Sequence, residues 1–213
     1  MIEIIPSINV RTFEEVKERI AKVEPYVKWC HLDVTDGVFS KHLTWHDPRD
    51  LLNLETALNI EVHLMIENPE RLIEQWLVKP VKRVIVHLEA VSDMDLIIKK
   101  CRQAGGEIGL AINPETFWWK LEPWFKKADI YQTLAVHPGP SGQEVDWPEI
   151  LGKIRHIRER CPSCMIEVDG GINPESARKA AEVGTDLFVA GAYIFEASNI
   201  GEAIGELKHA ASS

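Results

Sequence analysis

The chain has 213 residues, of which 45% are hydrophobic and 27% charged, so it can bury a sizeable core and does not have the composition of a disordered protein. Its formal net charge of −9 argues against DNA or RNA as a partner, because a negative surface repels the phosphate backbone. No apolar stretch approaches the length of a membrane span, and the first residues lack a signal-peptide pattern. We therefore expect a cytoplasmic protein without a membrane segment.

Short β-branched runs alternate with longer amphipathic segments along the whole chain, which is typical of a parallel sheet with crossover helices. We predict eight strands, near residues 3–8, 27–34, 60–65, 83–87, 107–112, 130–136, 165–168 and 187–190. Predicted helix starts combine a capping side chain with proline or with a capping-box spacing, at Thr12, Asp47, Asn68, Ser92, Asn113 and Asn173. Glycines 105 and 184 follow periodic segments where a left-handed residue is expected to end a helix.

Polar residues stand where nearly every predicted strand ends, and this placement favours a closed barrel over an open, doubly wound sheet. In a barrel the carboxyl ends of all strands surround one mouth, whereas an open sheet spreads them along an edge. The residues are Ser7, His31, Asp33, His63, His87, Glu89, Asn113, His137, Asp169 and Gly191. We predict an α/β protein with one domain, a (β/α)₈ TIM barrel over residues 1–213.

Three of the predicted strands carry histidine and aspartate residues that are candidate metal ligands. His31 and Asp33 alternate on strand two and so point to one side, while the next strand offers His63. Asp169 ends strand seven. A lone histidine at a strand end is more often structural, but two imidazoles and two carboxylates from three strands suit a divalent transition metal. These four residues are our predicted metal ligands.

Two glycine-containing turns follow the last two strands, where this fold commonly binds phosphate through backbone N–H groups. They are Gly170-Gly171 and Gly191-Ala192. A third loop, residues 138–142, follows strand six and could close over a ligand. Each glycine alone would be explained by a tight turn, but their joint position predicts a small phosphorylated ligand.

Several longer motifs occur in one order from end to end. They include HLDVTDG at 31–37, EVHLMIENPE at 61–70, VHPGPSGQ at 136–143, EVDGGIN at 167–173 and VAGAYIF at 189–195. With Pro6-Ser-Ile8, VHLEA at 86–90 and AINPET at 111–116, the sequence resembles the ribulose-phosphate 3-epimerase family, as a divergent member.

The resemblance implies a metal-dependent isomerase of carbohydrate metabolism, in the pentose phosphate pathway, that forms homo-oligomers. It matches Asp33 and Asp169 to the family's acid and base, and His31, Asp33, His63 and Asp169 to its metal ligands. Zn, Fe(II), Mn or Co would suit this mixed nitrogen and oxygen set. The substrate-binding positions that it implies are Ser7, Met65, Gly142, Gly170, Gly171, Gly191 and Ala192.

The substrate-facing motifs depart from the family's pattern while the four ligand positions keep it. The family's PSIL motif reads PSIN here and ends in Asn9, and its FVPN motif reads Phe39-Ser-Lys-His42. Its phosphate-binding Gly-Ser is Gly191-Ala192 in this chain. The strand-six loop reads PGPSGQ where PGFGGQ is usual, position 35 is threonine instead of methionine, and a pocket methionine is Leu134. Reaction type is therefore better supported than substrate identity.

Inversion of carbon 3 of a ketose phosphate requires two proton-transfer groups on opposite faces of a planar enediolate. Asp33 and Asp169 would supply them, for D-ribulose 5-phosphate and D-xylulose 5-phosphate. An epimerase for another ketose phosphate, such as a hexulose 6-phosphate, is the closest alternative. A non-catalytic barrel that binds a phosphorylated ligand is the alternative from another class. A Schiff-base aldolase is disfavoured because no predicted strand end carries lysine.

Two further features carry no functional assignment. Cys161-Pro-Ser-Cys164 could be a redox pair or half a zinc site, but no partner pair follows, and two small residues beside a turn are the favoured interpretation. Aromatic residues cluster at 117–119 and 124–125, where core packing is expected unless they are exposed at a subunit interface.

Overall fold

The computed structural model describes residues 2–140 and 142–213 and contains a closed barrel of eight parallel strands. Each strand pairs with the next, and the last strand pairs with the first. The strands are β1 (Glu3–Ile8), β2 (Trp29–Thr35), β3 (Asn59–Met65), β4 (Val81–His87), β5 (Glu107–Ile112), β6 (Ile130–Leu134), β7 (Met165–Asp169) and β8 (Leu187–Ala190). The predicted TIM barrel is confirmed, with the predicted bounds for β1, β5 and β8.

Helices surround the barrel, but two connections depart from the ideal pattern. The α-helices are α1 (Phe13–Val23), α2 (Ile73–Trp76), α3 (Met94–Gln103), α4 (Trp147–Arg160), α5 (Pro174–Glu182), α6 (Ala192–Phe195) and α7 (Ile200–Ala211). Shorter 3₁₀ helices cover Pro48–Asn53, Pro69–Arg71, Leu88–Ala90 and Trp118–Trp124. After β2 and after β5, the described residues form a 3₁₀ helix without an α-helix.

Most of the predicted helix starts are confirmed. Thr12 and Asn173 form capping boxes, and Asp47 caps its 3₁₀ helix with its side chain. The start at Ser92 is wrong by one residue, because the cap of α3 is Asp93. Asn68 precedes its 3₁₀ helix without a side-chain cap bond.

The predicted helix start at Asn113 is wrong. Its backbone is engaged by side chains from elsewhere: the N–H donates to Glu89 and the carbonyl accepts from Lys153. The next helix begins five residues later, at Trp118, and contains Pro123, which lacks the N–H that a regular helix uses.

The interior of the barrel contains an apolar layer made of side chains from alternate strand positions. Its fully or nearly fully buried members are Ile5, Ile85, Ala111, Ile130, Leu187 and Val189. A larger apolar cluster lies between the outer face of the sheet and the helices and includes side chains from both. Other inner positions carry polar residues, both before the apolar ones, as Arg83 before Ile85 on β4, and after them, as Gln132 after Ile130 on β6.

Cys161 and Cys164 form a disulfide in the turn between α4 and β7, so they are more than the two small residues beside a turn that the sequence favoured. Both cysteines are buried.

The aromatic residues after β5 divide into two groups. Trp118, Trp124 and Phe125 pack against the core, as expected. Phe117 and Trp119 are 60% and 51% exposed and stack on each other with ring centres 6.0 Å apart, so core packing was the wrong prediction for this pair. None of the helices in the described ranges is both long and apolar enough to span a membrane.

The apolar layer closes tightly around Gly109 of β5. A Cβ atom at this position would lie 2.7 Å from Cγ1 of Ile130 and 2.8 Å from Cγ1 of Ile85. We expect Gly109→Ala to lower the free energy of unfolding by about 1–3 kcal/mol, because both isoleucines must move in a packed interior.

Urea denaturation monitored by tryptophan fluorescence measures this change. Gly205→Ala, on an open face of α7 with no atom within 4 Å of the added Cβ, is the matched control. It should be stabilising by roughly 0.5–1 kcal/mol, since alanine is the better helix former. Equal stability of Gly109→Ala and the parent would contradict the tight layer.

Candidate active site

The register of the barrel brings the four predicted metal ligands together. Asp33 pairs directly with His63 of the neighbouring strand, and Asp169 ends β7. One ligand atom from each of His31, Asp33, His63 and Asp169 lies within 4.8 Å of the others. The prediction that these side chains converge at the barrel mouth agrees with the geometry.

Two imidazole nitrogens point to the space between the two carboxylates. Nε2 of His31 lies 3.4 Å from Oδ1 of Asp33 and 3.8 Å from Oδ2 of Asp169. Nδ1 of His63 lies 3.4 Å and 3.5 Å from the same two oxygens. Ligands at about 2.1 Å from a shared cation are themselves about 3.0–3.4 Å apart, so the spacing is close to that of a coordination sphere.

The other nitrogen of each histidine is held by a buried neighbour. Nδ1 of His31 donates to Glu61 over 2.7 Å, and Nε2 of His63 lies 2.9 Å from Nε2 of His87. The second nitrogen of His87 faces Glu89 at 3.4 Å, so it donates there and leaves Nε2 to accept from His63. Each of these contacts selects the tautomer whose free nitrogen faces the carboxylates.

A metal ion fits this set of donors. Nε2 of His31 and Nδ1 of His63 are buried and have no hydrogen-bond partner among the described residues. Buried polar atoms without partners are costly, and a cation between the carboxylates would satisfy both at once. The donor set of two nitrogens and carboxylate oxygens suits Zn, Fe(II), Mn or Co.

The electrostatics of the site favour positive charge. Burial opposes ionisation, but the hydrogen bonds and charges of Asp33 and Glu61 outweigh it and raise the pKa of His31. Burial would also favour the neutral form of Asp33, yet His31 and His63 hold the pKa of this carboxyl well below its ordinary range. Burial lowers the pKa of His87 to about 4, so this imidazole is neutral at pH 7.

A second polar layer lies beneath the four residues. Glu61 accepts from the guanidinium of Arg83 at 2.7 Å, and Arg83 also pairs with Glu107 at 2.7 Å. Gln132 donates to Glu167 over 3.0 Å. Burial and the charge of Glu61 raise the pKa of Glu167 well above its ordinary value.

A cavity of about 240 Å³ opens above the ligand cluster at the carboxyl ends of the strands. Asp33 and Asp169 line it, while the two histidines lie below its floor. Oγ of Ser7 donates to Oδ2 of Asp33 over 2.5 Å and so fixes one of these carboxylates. Every position expected to bind substrate borders this cavity: Ser7, Met65, Gly142, Gly170, Gly171, Gly191 and Ala192.

Residues that depart from the family's motifs bond to one another at the edge of this cavity. Asn9 donates to the carbonyl of Gly139 over 3.2 Å, and Nε2 of His42 lies 3.1 Å from Oδ1 of Asn9. Ser40 donates to the carbonyl of Pro138 over 2.7 Å. Three changed segments therefore form one hydrogen-bonded group that fixes the strand-six loop.

Sequence reasoning missed the supporting residues. It noted His87 and Glu89 as polar strand ends without assigning them a role, and it left out Glu61 and Glu167. The two-residue period of a strand could have found the latter pair, since they precede His63 and Asp169 by two positions. No comparable signal exists for the contacts between loops.

A closed barrel whose mouth gathers histidines and carboxylates around a cavity defines the chain as a TIM-barrel enzyme. The model of the ribulose-phosphate 3 epimerase family matches residues 3–195, so the chain belongs to this family.

Curated relatives carry the same name. A ribulose-phosphate 3-epimerase of Mycobacterium tuberculosis is 33% identical over 218 residues, which cover 99% of this chain and 93% of the relative. That of Schizosaccharomyces pombe is 30% identical, over 97% of this chain and 92% of its own. That of Chlamydia muridarum is 36% identical, over 80% and 77%. The chain is thus similar to carbohydrate epimerases over most of its length.

Solved structures of other enzymes share the fold. A 3-hexulose-6-phosphate synthase from Salmonella typhimurium superposes with a TM-score of 0.69 at 12% identity, covering 99% of both chains. An orotidine 5'-phosphate decarboxylase from Pyrococcus horikoshii gives 0.68 at 18% identity, also over 99% of both chains. At these identities the likeness concerns the barrel alone.

The bond from Ser40 to Pro138 provides a test of the fixed loop. We expect Ser40→Ala to raise amide exchange of the peptide that carries Gly139 roughly fivefold, because one buried hydrogen bond contributes about 1 kcal/mol to local closure. Hydrogen–deuterium exchange with mass spectrometry measures it. Ser198→Ala, at an exposed position, is the control that should leave the loop unchanged. Unaltered exchange in Ser40→Ala would show that the loop is held by other contacts.

Proposed function

We propose that this protein is a metal-dependent epimerase that inverts carbon 3 of a ketose phosphate and interconverts D-ribulose 5-phosphate and D-xylulose 5-phosphate. The observation that carries the proposal is the pair of unpartnered nitrogens, on His31 and His63, that face Asp33 and Asp169 under one cavity. Family membership gives the reaction class. We further propose His31, Asp33, His63 and Asp169 as the metal ligands.

The two carboxylates are the proposed acid and base. Asp33 lies on β2 and Asp169 on β7, which are separated in the barrel by β1 and β8, and both border the cavity. A planar enediolate between them would have one carboxylate on each face. The lowered pKa of Asp33 keeps it ionised, which a base requires, and Ser7 holds its orientation.

When bound, a divalent cation would supply the electrostatic stabilisation that the negative charge of an enediolate requires. The protein's own contribution is to fix both imidazoles through Glu61 and His87 and to orient Asp33 through Ser7. The glycine turns at Gly170-Gly171 and Gly191-Ala192 are the proposed phosphate site, since they line the same cavity.

A hexulose 6-phosphate is the second candidate substrate. Asn9 lies in the cavity wall, and the hydrogen bond that it donates to Gly139 fixes a loop whose sequence departs from the family's. Changed residues in the cavity wall, beside four proposed metal ligands that keep the family's pattern, favour the same reaction on a different sugar. Rates with a panel of pentulose and hexulose phosphates decide between the two substrates, and no turnover of any would favour the non-catalytic alternative.

The metal assignment predicts a coupled loss in His63→Ala. We expect metal affinity to fall by more than about 100-fold and activity to fall with it, because one of four ligands is gone. Elemental analysis and titration with Co(II), followed by its visible absorption, measure binding without an activity assay. His209→Ala, on the exposed face of α7, is the control. Full metal content in His63→Ala would contradict the assignment.

The two-base mechanism predicts opposite defects in Asp33→Asn and Asp169→Asn. Each asparagine keeps the shape of the side chain but cannot transfer the proton, so interconversion should fall by at least about 100-fold in each metal-loaded variant. The remaining carboxylate still acts on its own face. One variant should therefore exchange the carbon-3 hydrogen of only one epimer with deuterated water, and the second variant that of only the other.

Proton NMR of the recovered sugar phosphate follows this exchange. Metal content is measured in each variant, because both residues are proposed ligands. Exchange of the same epimer by both metal-loaded variants, or interconversion at near the parental rate by either, would refute the assignment of one base to each face.

A further inference from the structure

Arg19 of α1 reaches the wall of the cavity that holds the candidate active site. The carbon at the centre of its guanidinium lies 4.6 Å from the centre of the Phe195 ring, which follows the Gly191-Ala192 turn by a few residues. Phe195 lines the same cavity. The ring thus supports the guanidinium from one face and leaves its N–H edges open to hydrogen bonding.

This guanidinium forms no ion pair with any carboxylate in residues 2–140 and 142–213. The nearest acidic side chain on its own helix face, Glu15, is held by the N-terminal cap of α1, where it accepts from Thr12 and Arg11. Glu196 lines the cavity too but is not among the ion-pair partners of Arg19. A half-buried arginine beside a cavity, with its donors unused, is suited to an anionic ligand.

The backbone turns at this end of the cavity have no side-chain donor of their own. Gly170, Gly171, Gly191 and Ala192 offer only N–H groups. The chain as a whole carries a net charge of −9, so its overall field does not attract an anion. A positively charged side chain beside the cavity would supply the missing side-chain donor and attract an anion despite the net negative charge. Arg19 is the arginine that borders the cavity.

We propose that Arg19 binds the phosphate group of the substrate, with the glycine turns after β7 and β8 supplying backbone donors. The assignment rests on the proposed function, because it takes the ligand to be a sugar phosphate. It makes Arg19 a residue that selects phosphorylated over neutral sugars. A phosphate near pH 7 carries close to two negative charges and has three oxygens for the planar N–H edge of arginine.

The test compares Arg19→Gln with the parent. We expect KM for D-ribulose 5-phosphate to rise about 10- to 100-fold, the range for loss of hydrogen bonds to a charged group, while kcat stays within about twofold. The inhibition constant of inorganic phosphate should rise by a similar factor. Turnover of unphosphorylated D-ribulose, however slow, should be unchanged.

Two variants separate binding from structure. Lys22→Gln removes one positive charge from an exposed position of the same helix and should leave every constant unchanged. Arg19→Lys keeps the charge but loses the planar donor edge and should give an intermediate KM. Thermal unfolding of each variant shows whether the fold is retained. If Arg19→Gln unfolds, Arg19→Lys and Phe195→Leu take its place, and both must weaken phosphate binding for the assignment to stand.

Calorimetric titration with inorganic phosphate separates this assignment from the proposed function. Suppose that the parent turns over no ketose phosphate but binds phosphate more tightly than Arg19→Gln does. This result would support the Arg19 site and refute the epimerase. Parental epimerase activity with unchanged KM and unchanged phosphate binding in Arg19→Gln would refute the Arg19 site alone. Absence of phosphate binding in the parent would refute both.

Discussion

The bond between Nδ1 of His31 and the buried carboxylate of Glu61 is the interaction on which the site depends. An imidazole can bind a cation only through a nitrogen that carries no proton. The bond to Glu61 places the proton of His31 on Nδ1 and leaves Nε2 free. Glu61 is fully buried and would be costly as an isolated charge, so it requires a counterion. Arg83 supplies it, and Glu107 with the ring of Trp29 holds Arg83 in turn.

This chain of contacts brings charged side chains into the barrel interior beside apolar ones. The apolar layer around Ile85 and Ile130 shares the barrel interior with polar side chains, since Arg83 and Gln132 lie on the same two strands, two residues away. Ion pairs of this kind contribute little net stability compared with apolar packing of the same volume. They fix the positions of side chains instead, because few arrangements satisfy every buried donor and acceptor in the network.

The sequence could predict features that follow from a repeating pattern of residues, such as strand bounds and the direction of side chains. The strand bounds were close to those found because β-branched runs alternate with capped helices. The convergence of the proposed ligands followed from the side-chain period in His31-Leu32-Asp33. Local patterns could not predict contacts between residues that are distant in sequence. The helix start at Asn113 failed because Glu89 and Lys153, both distant in sequence, engage its backbone. The disulfide at Cys161 likewise depends on how the turn before β7 folds.

The separation between strands and loops explains how this chain can keep the proposed ligand set while residues around the cavity depart from the family's motifs. His31, Asp33, His63 and Asp169 lie on strands paired on both sides, so a shift of one would disturb the whole barrel. Asn9, His42 and Gly139 lie beyond the strand ends and touch one another. A change in one of these loops can be offset by a change in the next without any effect on the ligand cluster. Chemistry and substrate selection therefore rest on different parts of the barrel, and the loop contacts are where a difference in substrate from other family members would arise.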